Sequence, residues 1–458
     1  MAWQSVKQSG LALICAALAA CGSGGSDNPT TTPAAATPSP VVSPTPTPTP
    51  APIAANNKVT LQVPAGLNAA PLDVPRTLTV PPGFGIRVVA RVSTARFLAE
   101  TPDGDLLVSQ PATGKILRVA LGSGSNSVNE FATGLSQGHD MVFKTLGATT
   151  WLYLSESKQI TRSPWKSADT TREAATVLVG NLPDASSAEL QGSYAHALKN
   201  IAVSDTNLFV SIASATNASP SDQAATPKRG AIYVYGLDGS GGRLYAQGIR
   251  NAEGLALHPQ TGQLWIAVNN RDNTLYPLKD GKYPYKAVDQ NYVNDNPPEP
   301  FTAVRDGGNY GWPFCNQAPD QGNTLPPLIA DVQNNENQTV LDCSTVDRAS
   351  KILPAHSAPL GMSFWTGSAA PDAYRNGAVI GLHGCWNCSV AHGYKVVFLA
   401  AGTQNDFADA VDLVSGFLTD PADKSTVWGR PVDVIPNRNG NLYISDDVAG
   451  AVYELYKL

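Results

Sequence analysis

Six short stretches of this 458-residue sequence set a guanidinium or imidazole group just ahead of an apolar segment. They hold Arg96, His139, His196 with Lys199, Arg250 with Asn251 and Glu253, His356, and Arg430 with Asp433. Arginine presents a planar fork of donors that matches a carboxylate, and histidine takes a proton near neutral pH. Gathered in one place, these groups suit a small anionic ligand handled beside a proton acceptor. Taken singly, each has a plainer role. Arg96 and Arg430 would serve as loop ion pairs, and an isolated histidine is more often structural than catalytic. Function therefore depends on whether the fold brings them together.

A repeat says that it does. One phrase recurs: an apolar segment, a turn containing glycine, a strand of the form small-Leu-aromatic-aliphatic-Ser, and a third strand opened by glycine or a polar residue. The central strands are residues 105–109 (DLLVS), 151–155 (WLYLS), 207–211 (NLFVS), 263–267 (QLWIA), 377–381 (GAVIG) and 441–445 (NLYIS). Their spacing doubles between the fourth and fifth, where a long insertion sits. Such units predict an all-β, six-bladed β-propeller of four-stranded blades. An open stack of hairpins would leave sheet edges unpaired. In a propeller the first strand of each blade lines the axis, so the residues ahead of those strands converge on one channel mouth. His196 and Arg250 fall at the same repeat position. The tyrosine- and lysine-rich stretch from Tyr276 to Asp295 is expected to lie over that mouth.

Composition excludes one class of partner. With 31 basic against 37 acidic side chains, the net charge of -6 offers no basic surface for nucleic acid. The 40 glycines and 36 prolines punctuate short apolar runs, as turns between strands require. Residues 1–20 read as a signal peptide, with Lys7 ahead of an apolar run too short to stay in a bilayer as a helix. Leu18-Ala19-Ala20-Cys21 reads as a lipobox, which makes Cys21 the diacylated N-terminus of the mature chain. Gly22 then favours an outer-membrane anchor in a bacterial cell envelope. Residues 21–57, including the Pro/Thr run 43–50, hold too little apolar bulk to fold and are expected to be an extended tether. The folded part is then 58–458. An oxidising compartment and an even count of remaining cysteines predict two disulfides, Cys315 with Cys343 and Cys385 with Cys388. The second pair lacks the following histidine of a c-type haem site and any thioredoxin-like surround, so it reads as a staple.

Several strings resemble the L-sorbosone dehydrogenase and aldose sugar dehydrogenase family, quinoproteins related to the soluble PQQ-dependent glucose dehydrogenases. They are residues 80–84 (VPPGF), 250–256 (RNAEGLA), 307–313 (GGNYGWP), 356–361 (HSAPLG) and 429–434 (GRPVDV). The resemblance implies a six-bladed propeller and oxidation of a small sugar or hydroxy-aldehyde, with PQQ and Ca²⁺ as cofactors. It implies that His196 takes the substrate's hydroxyl proton as hydride moves to the quinone. Arg250, Asn251 and Arg430 would hold the cofactor, whose three carboxylates call for cations, with Arg96 and Lys199 from the axial group beside them. Asn269, Asn270 and the Tyr310 carbonyl would bind calcium through oxygen. The resemblance leaves the electron acceptor unnamed.

Four departures stand out. The family's Asn-Glu-Arg-Asp is Asn269-Asn270-Arg271-Asp272 here, and Glu253 stands beside the cofactor pair where a neutral residue is usual. Val432 replaces a second arginine of the glucose-oxidising relatives. His-Gly-Ser-Trp-Asn-Arg becomes His383-Gly384-Cys385-Trp386-Asn387-Cys388. Three of the four weaken anion binding, and Glu253 repels PQQ unless a cation intervenes. Two other classes therefore stand beside the quinoprotein: a metal-dependent lactonase using Glu253, Asn251, Asp140 and Asp433, and a non-catalytic propeller binding a glycan or protein.

Overall fold

The computed structural model describes residues 57–122, 126–319, 325–402 and 406–458. The expected signal peptide, Cys21 and all but the last residue of the expected tether lie outside the described residues. Six four-stranded antiparallel sheets follow one another along the chain. Blade I comprises Leu98–Glu100, Leu106–Gln110, Lys115–Ala120 and Ser127–Ala132. Blade II comprises Met141–Leu146, Thr149–Ser155, Ile160–Trp165 and Thr176–Val179, and blade III Lys199–Val203, Asn207–Ile212, Ala231–Gly236 and Arg243–Gln247. Blade IV holds Ala252–Leu257, Leu264–Val268, Glu299–Ala303 and Lys351–Leu353, and blade V Pro359–Phe364, Ala378–Leu382, Lys395–Leu399 and Val411–Val414. Blade VI takes Pro431–Pro436, Leu442–Asp446 and Ala451–Lys457 from the C-terminal end, and its outer strand Phe84–Arg91 from the other end of the folded region. That shared blade closes the ring, leaving no open edge between first and last blades. All six central strands read from the sequence are the second strands of these blades.

The first strands of successive blades contact one another in a closed circuit, from blade I round to blade VI and back. They are therefore the innermost strands. Second strands are buried on both faces, as Leu106–Gln110 and Leu264–Val268 are throughout, because each sheet is sandwiched between two others. Outer strands meet solvent, and Ser127–Ala132 exposes its first four residues. The core is a set of interblade layers. Between blades V and VI, Val379, Val396 and Phe398 meet Val434, Leu442 and Ile444. Between IV and V, Trp265 packs on Phe301 and Phe407 with ring centroids 4.8 Å from each. Each such side chain contributes roughly 1.5–3 kcal/mol by leaving water.

Polar links fix the angle between blades, and they explain the serine that closes the repeat. Ser155 Oγ accepts the Asp140 N–H (2.9 Å) and donates to the Lys199 carbonyl of blade III (2.6 Å). Ser445 Oγ accepts the Asp433 N–H (3.0 Å) and donates to the Arg96 carbonyl ahead of blade I. Two aspartates complete the latches. Asp140 accepts from Met141 N and from Ile201 N of blade III (2.7 and 2.8 Å), and Asp433 from Val434 N and from Leu98 N of blade I (both 2.9 Å). Blade V departs from the repeat for a steric reason. A Cβ on Gly381, which stands where the serine falls, would lie 2.4 Å from the Val432 carbonyl oxygen of blade VI.

The doubled spacing is two insertions in blade IV, 269–298 and 304–350. The first carries the short helix Gln290–Val293 and the second a hairpin of Cys315–Gln317 with Leu328–Ala330. Gly308–Asn309 adds in parallel to the outer strand of blade III. Both expected disulfides are formed, with Cα separations of 5.7 Å (Cys315–Cys343) and 5.9 Å (Cys385–Cys388).

Candidate active site

The segments entering the six inner strands emerge at one end of the axis, and the second strands return to that same end. The site is therefore built from both sets of connections. Arg96 enters blade I and bridges two others: Nη2 donates to Glu253 Oε2 of blade IV and Nη1 to Asp447 Oδ2 of blade VI, each at 3.1 Å. Glu253 also accepts from Asn251 Nδ2 (3.2 Å), and Asp447 from His383 Nε2 of blade V (2.8 Å). Burial pushes the His383 pKa down to about 4, so at neutral pH this last contact is a hydrogen bond from an uncharged ring. Burial works to raise the Asp447 pKa, but its contacts with His383 and Arg96 outweigh it and hold the carboxyl at about 2. Glu253 thus meets a cation, as the sequence required. Arg96 is a brace across the channel, with both terminal nitrogens engaged by protein.

His196, Arg250 and His356 form a second group around Asp272. Arg250 is 4% exposed and directs four N–H groups at protein: Nε to the Asn217 carbonyl, Nη1 to the Asn269 carbonyl, and Nη2 to Asn217 Oδ1 and Asp272 Oδ2, at 3.0–3.2 Å. His356 Nδ1 lies 3.5 Å from Asp272 Oδ1, and its Nε2 lies 2.7 Å from the Val293 carbonyl oxygen and 3.0 Å from that of Asn296. Both ring nitrogens thus face acceptors. Burial lowers the His356 pKa, but Asp272 and Glu299 overcome it, and the net shift is upward. His196 is the opposite case. Its Nδ1 lies 2.8 Å from the Ser214 carbonyl oxygen, which can only accept. The proton of the neutral ring therefore sits on Nδ1 and leaves the Nε2 lone pair bare. Burial, helped by the Arg250 charge, lowers its pKa to about 4. At neutral pH His196 is an uncharged proton acceptor.

Arg430 donates from Nε to the His383 carbonyl (2.7 Å) and from Nη2 to the Gly384 carbonyl (3.0 Å), with its guanidinium 5.5 Å above the Tyr394 ring. Its Nη1 has no acceptor among the described residues. Lys199 turns into the protein: it is 0% exposed, Nζ donates to the Ala197 carbonyl (2.5 Å), and burial brings its pKa down to about 7. It stays out of the open mouth. His139 is fully buried against Phe97 with neither ring nitrogen bonded.

Of the three expected calcium residues, Asn270 and Tyr310 line a cavity of about 40 Å³ together with Arg250, Gln317 and Asp347, and Asn269 does not. The Asn269 carbonyl accepts from Arg250. Next to Asn270 lies a residue the sequence did not single out. Glu299 accepts the Asn270 N–H on Oε2, while its Oε1 is buried without a partner. A buried, unpaired carboxyl oxygen is what a divalent cation satisfies, so Glu299 fits Ca²⁺, whereas Asn270 Oδ1 already accepts the Arg271 N–H (2.9 Å). Glu299 supplies in space the carboxylate missing at position 270. The free Nη1 edge of Arg430 and the bare Nε2 of His196 fit an anionic quinone beside a hydroxyl substrate.

The lactonase set does not assemble. Both oxygens of Asp140 and of Asp433 are taken by backbone N–H groups, one from their own blade and one from the next, and Glu253 is held by Arg96. Asp272, Asn217, His383 and Asp447 escaped the sequence reading of axial residues because they follow second strands. The antiparallel return of those strands to the mouth is the signal that would have found them.

Over 214 residues the chain is 29% identical to an uncharacterized protein of Borreliella burgdorferi, covering 46% of this chain and 48% of that one. It is 27% identical over 243 residues to the pyrroloquinoline quinone-dependent pyranose dehydrogenase of Coprinopsis cinerea, covering 47% of this chain and 32% of that one. The chain thus spans half or less of the curated relatives it matches. Among solved structures, a Trichoderma reesei carbohydrate-active enzyme of family AA12 superposes with a TM-score of 0.68 at 21% identity, covering 83% of this chain and 98% of that one. The holo PQQ domain of the Coprinopsis cinerea pyranose dehydrogenase gives 0.68 at 20%, covering 83% and 97%. Apo aldose sugar dehydrogenase of Escherichia coli gives 0.55 at 15%, covering 82% and 100%. At these identities the likeness speaks for the shared propeller. A family model described as TrAA12-like matches residues 78–458, a span that contains all six blades, and the chain belongs to that family.

Proposed function

We propose that this protein is a PQQ-dependent oxidoreductase acting on a sugar or related hydroxy-aldehyde, L-sorbosone and aldoses being the class expected from its motifs. The observation that carries the reading is His196, held neutral with Nε2 unprotonated at the channel mouth. When bound, PQQ supplies an ortho-quinone that accepts hydride. The protein's own part is to orient the substrate hydroxyl and to take its proton on His196 Nε2. The Nη1 edge of Arg430 would bind a cofactor carboxylate, while Arg250, with four N–H groups already on protein, would hold the Asn217, Asn269 and Asp272 wall in place. Asn269, Asn270, Tyr310 and Glu299 would hold Ca²⁺. The pyranose dehydrogenase named among its relatives supports the sugar class.

Two variants test this. His196→Ala should abolish dye-linked sugar oxidation while PQQ stays bound, and Arg430→Ala should weaken PQQ retention. Unchanged turnover in His196→Ala would remove the proposed base. The same reading places the protein on the cell envelope, lipid-anchored at Cys21 and facing the periplasm or exterior. The two disulfides accord with an oxidising compartment. Cys21→Ser should then release the protein into the soluble fraction, and full membrane retention would refute the anchor.

A further inference from the structure

His196 takes its tautomer from one peptide group, and that group has a second partner on its far side. The second strand of blade III, Asn207–Ile212, returns to the mouth and continues into the connection that holds Ser214. Ser214 sets its carbonyl oxygen 2.8 Å and its hydroxyl oxygen 3.1 Å from His196 Nδ1. The N–H of the same peptide unit belongs to Ala215, and it donates to Asp222 Oδ1 at 3.1 Å. Carboxylate, peptide and imidazole thus form a chain, each hydrogen-bonded to the next.

Asp222 lies in the short helix Pro220–Ala224 and is fully buried. Besides Ala215 N, it accepts from Arg229 Nε on Oδ1 (2.5 Å) and from the Thr216 N–H (3.1 Å) and hydroxyl (2.7 Å) on Oδ2. Arg229, itself buried, supplies the countercharge that a carboxylate needs away from water. Ser214 is tied down as well: its N–H donates to the Arg250 carbonyl and its hydroxyl to the Thr216 carbonyl, both at 2.8 Å. An amide that donates to a carboxylate shifts electron density onto its own carbonyl oxygen, and the next hydrogen bond in the chain strengthens. Here that next bond is the one that keeps the neutral ring's proton on Nδ1 and leaves Nε2 bare. Burial and the Arg250 charge oppose protonation of the ring, whereas Ser214, Asp272 and Asp222 favour it. Asp272 is engaged by Arg250 and His356, so Asp222 is the carboxylate that reaches His196 through hydrogen bonds.

We infer that Asp222 is the positioning residue of His196, acting through the Ser214–Ala215 peptide to fix the ring's orientation and tautomer. It is a carboxylate–imidazole pairing with a peptide group set between the two. Asp222 acts through that peptide rather than on the reacting atoms. The inference rests on the reading of His196 as the base and adds the residue that keeps the base ready to accept a proton on Nε2.

The test is imidazole ¹⁵N NMR of the purified protein carrying labelled histidine, without PQQ, with the His196 signals identified by their loss in His196→Ala. In the wild type at neutral pH, Nδ1 should be protonated and Nε2 bare. Asp222→Asn keeps an oxygen for Ala215 but removes the charge, and the Nδ1 proton should then exchange with water about tenfold faster. The acceleration should persist in Asp222→Asn/Arg229→Gln, in which the buried arginine is not left without its partner. Thr216→Val loses the hydroxyl's bonds to Asp222 and Ser219 in the same loop but keeps the carboxylate on Ala215, and it should stay within about twofold of wild type. Unchanged exchange in both Asp222 variants, recovery of the wild-type rate in the double variant, or equal acceleration in Thr216→Val would overturn the inference. These readings need no cofactor, so they are separable from failure of the proposed oxidation. In PQQ-loaded protein the double variant should lower kcat about tenfold with PQQ retention unchanged, and an undiminished kcat there would also overturn the inference.

Discussion

Arg96 is the most informative residue to remove, because sequence and structure assign it different work. As a cofactor ligand it would contribute little to the folded state before cofactor binds. As a brace it joins blade I to Glu253 of blade IV and Asp447 of blade VI, at 3.1 Å each, with the three side chains only 16%, 12% and 18% exposed. Breaking a fully buried pair costs about 3–5 kcal/mol, largely because the partner is left as an unpaired buried charge. These groups keep some solvent, so Arg96→Ala should cost roughly 2–3 kcal/mol even though two carboxylates lose their cation. The assay is equilibrium urea unfolding at pH 7, with Glu253→Gln and the double variant completing a cycle. The coupling energy should be about 1–2 kcal/mol, since the two side chains are in direct contact. Partly buried pairs are weakly screened, so most of the loss should persist in high salt. A loss under about 0.5 kcal/mol with no coupling would refute the brace and return Arg96 to the role of a free ligand for an anion.

Three further outcomes follow from the same geometry. Asp433→Ala leaves the buried Leu98 and Val434 N–H groups unpaired, and the loss seen by urea unfolding should be about 2–5 kcal/mol; under about 1 kcal/mol would count against the latch. The Asp447 carboxyl, at about 2 against its ordinary 3.8, adds stability that is present above pH 3.8 and disappears as pH falls toward 2. That is worth about 2 kcal/mol, so Asp447→Asn should flatten the acid limb of a stability–pH curve, and an unchanged limb would contradict the assignment. Cys343→Ser opens a loop with a sequence separation of 28 and should cost about 3–4 kcal/mol in unfolding free energy, whereas opening Cys385–Cys388, separated by 3, should cost far less; the reverse order would be a contradiction.

The ring was legible because its repeat has a local cause. The serine that ends DLLVS, WLYLS and NLYIS bonds the start of its own blade's inner strand, and in two cases also the approach to the next blade, so the same residue recurs wherever the same link is made. The disulfides were legible from parity and compartment. The charge pairing at the mouth was not. Arg96 meets partners 157 and 351 positions away, and nothing in its neighbourhood distinguishes a brace from a ligand. Lys199 looked like a mouth residue because it follows His196 by three positions, yet it already belongs to the inner strand, whose alternation turns its side chain inward. Glu299 was hidden because its role comes from touching Asn270 across the first insertion. Asp140 and Asp433 looked like metal ligands by type, and only their four N–H contacts show them to be interblade latches.

On the proposed function, the channel mouth takes up PQQ with Ca²⁺ and hands a sugar's proton to His196. The direct measurement is to add both to the purified wild-type domain, remove excess, and record the bound quinone spectrum and dye-linked oxidation of an aldose. Retained PQQ that depends on Ca²⁺, with turnover lost in His196→Ala, is the predicted result. A wild-type domain that retains no PQQ at any Ca²⁺ concentration would contradict the account and leave a propeller that binds its ligands without turnover.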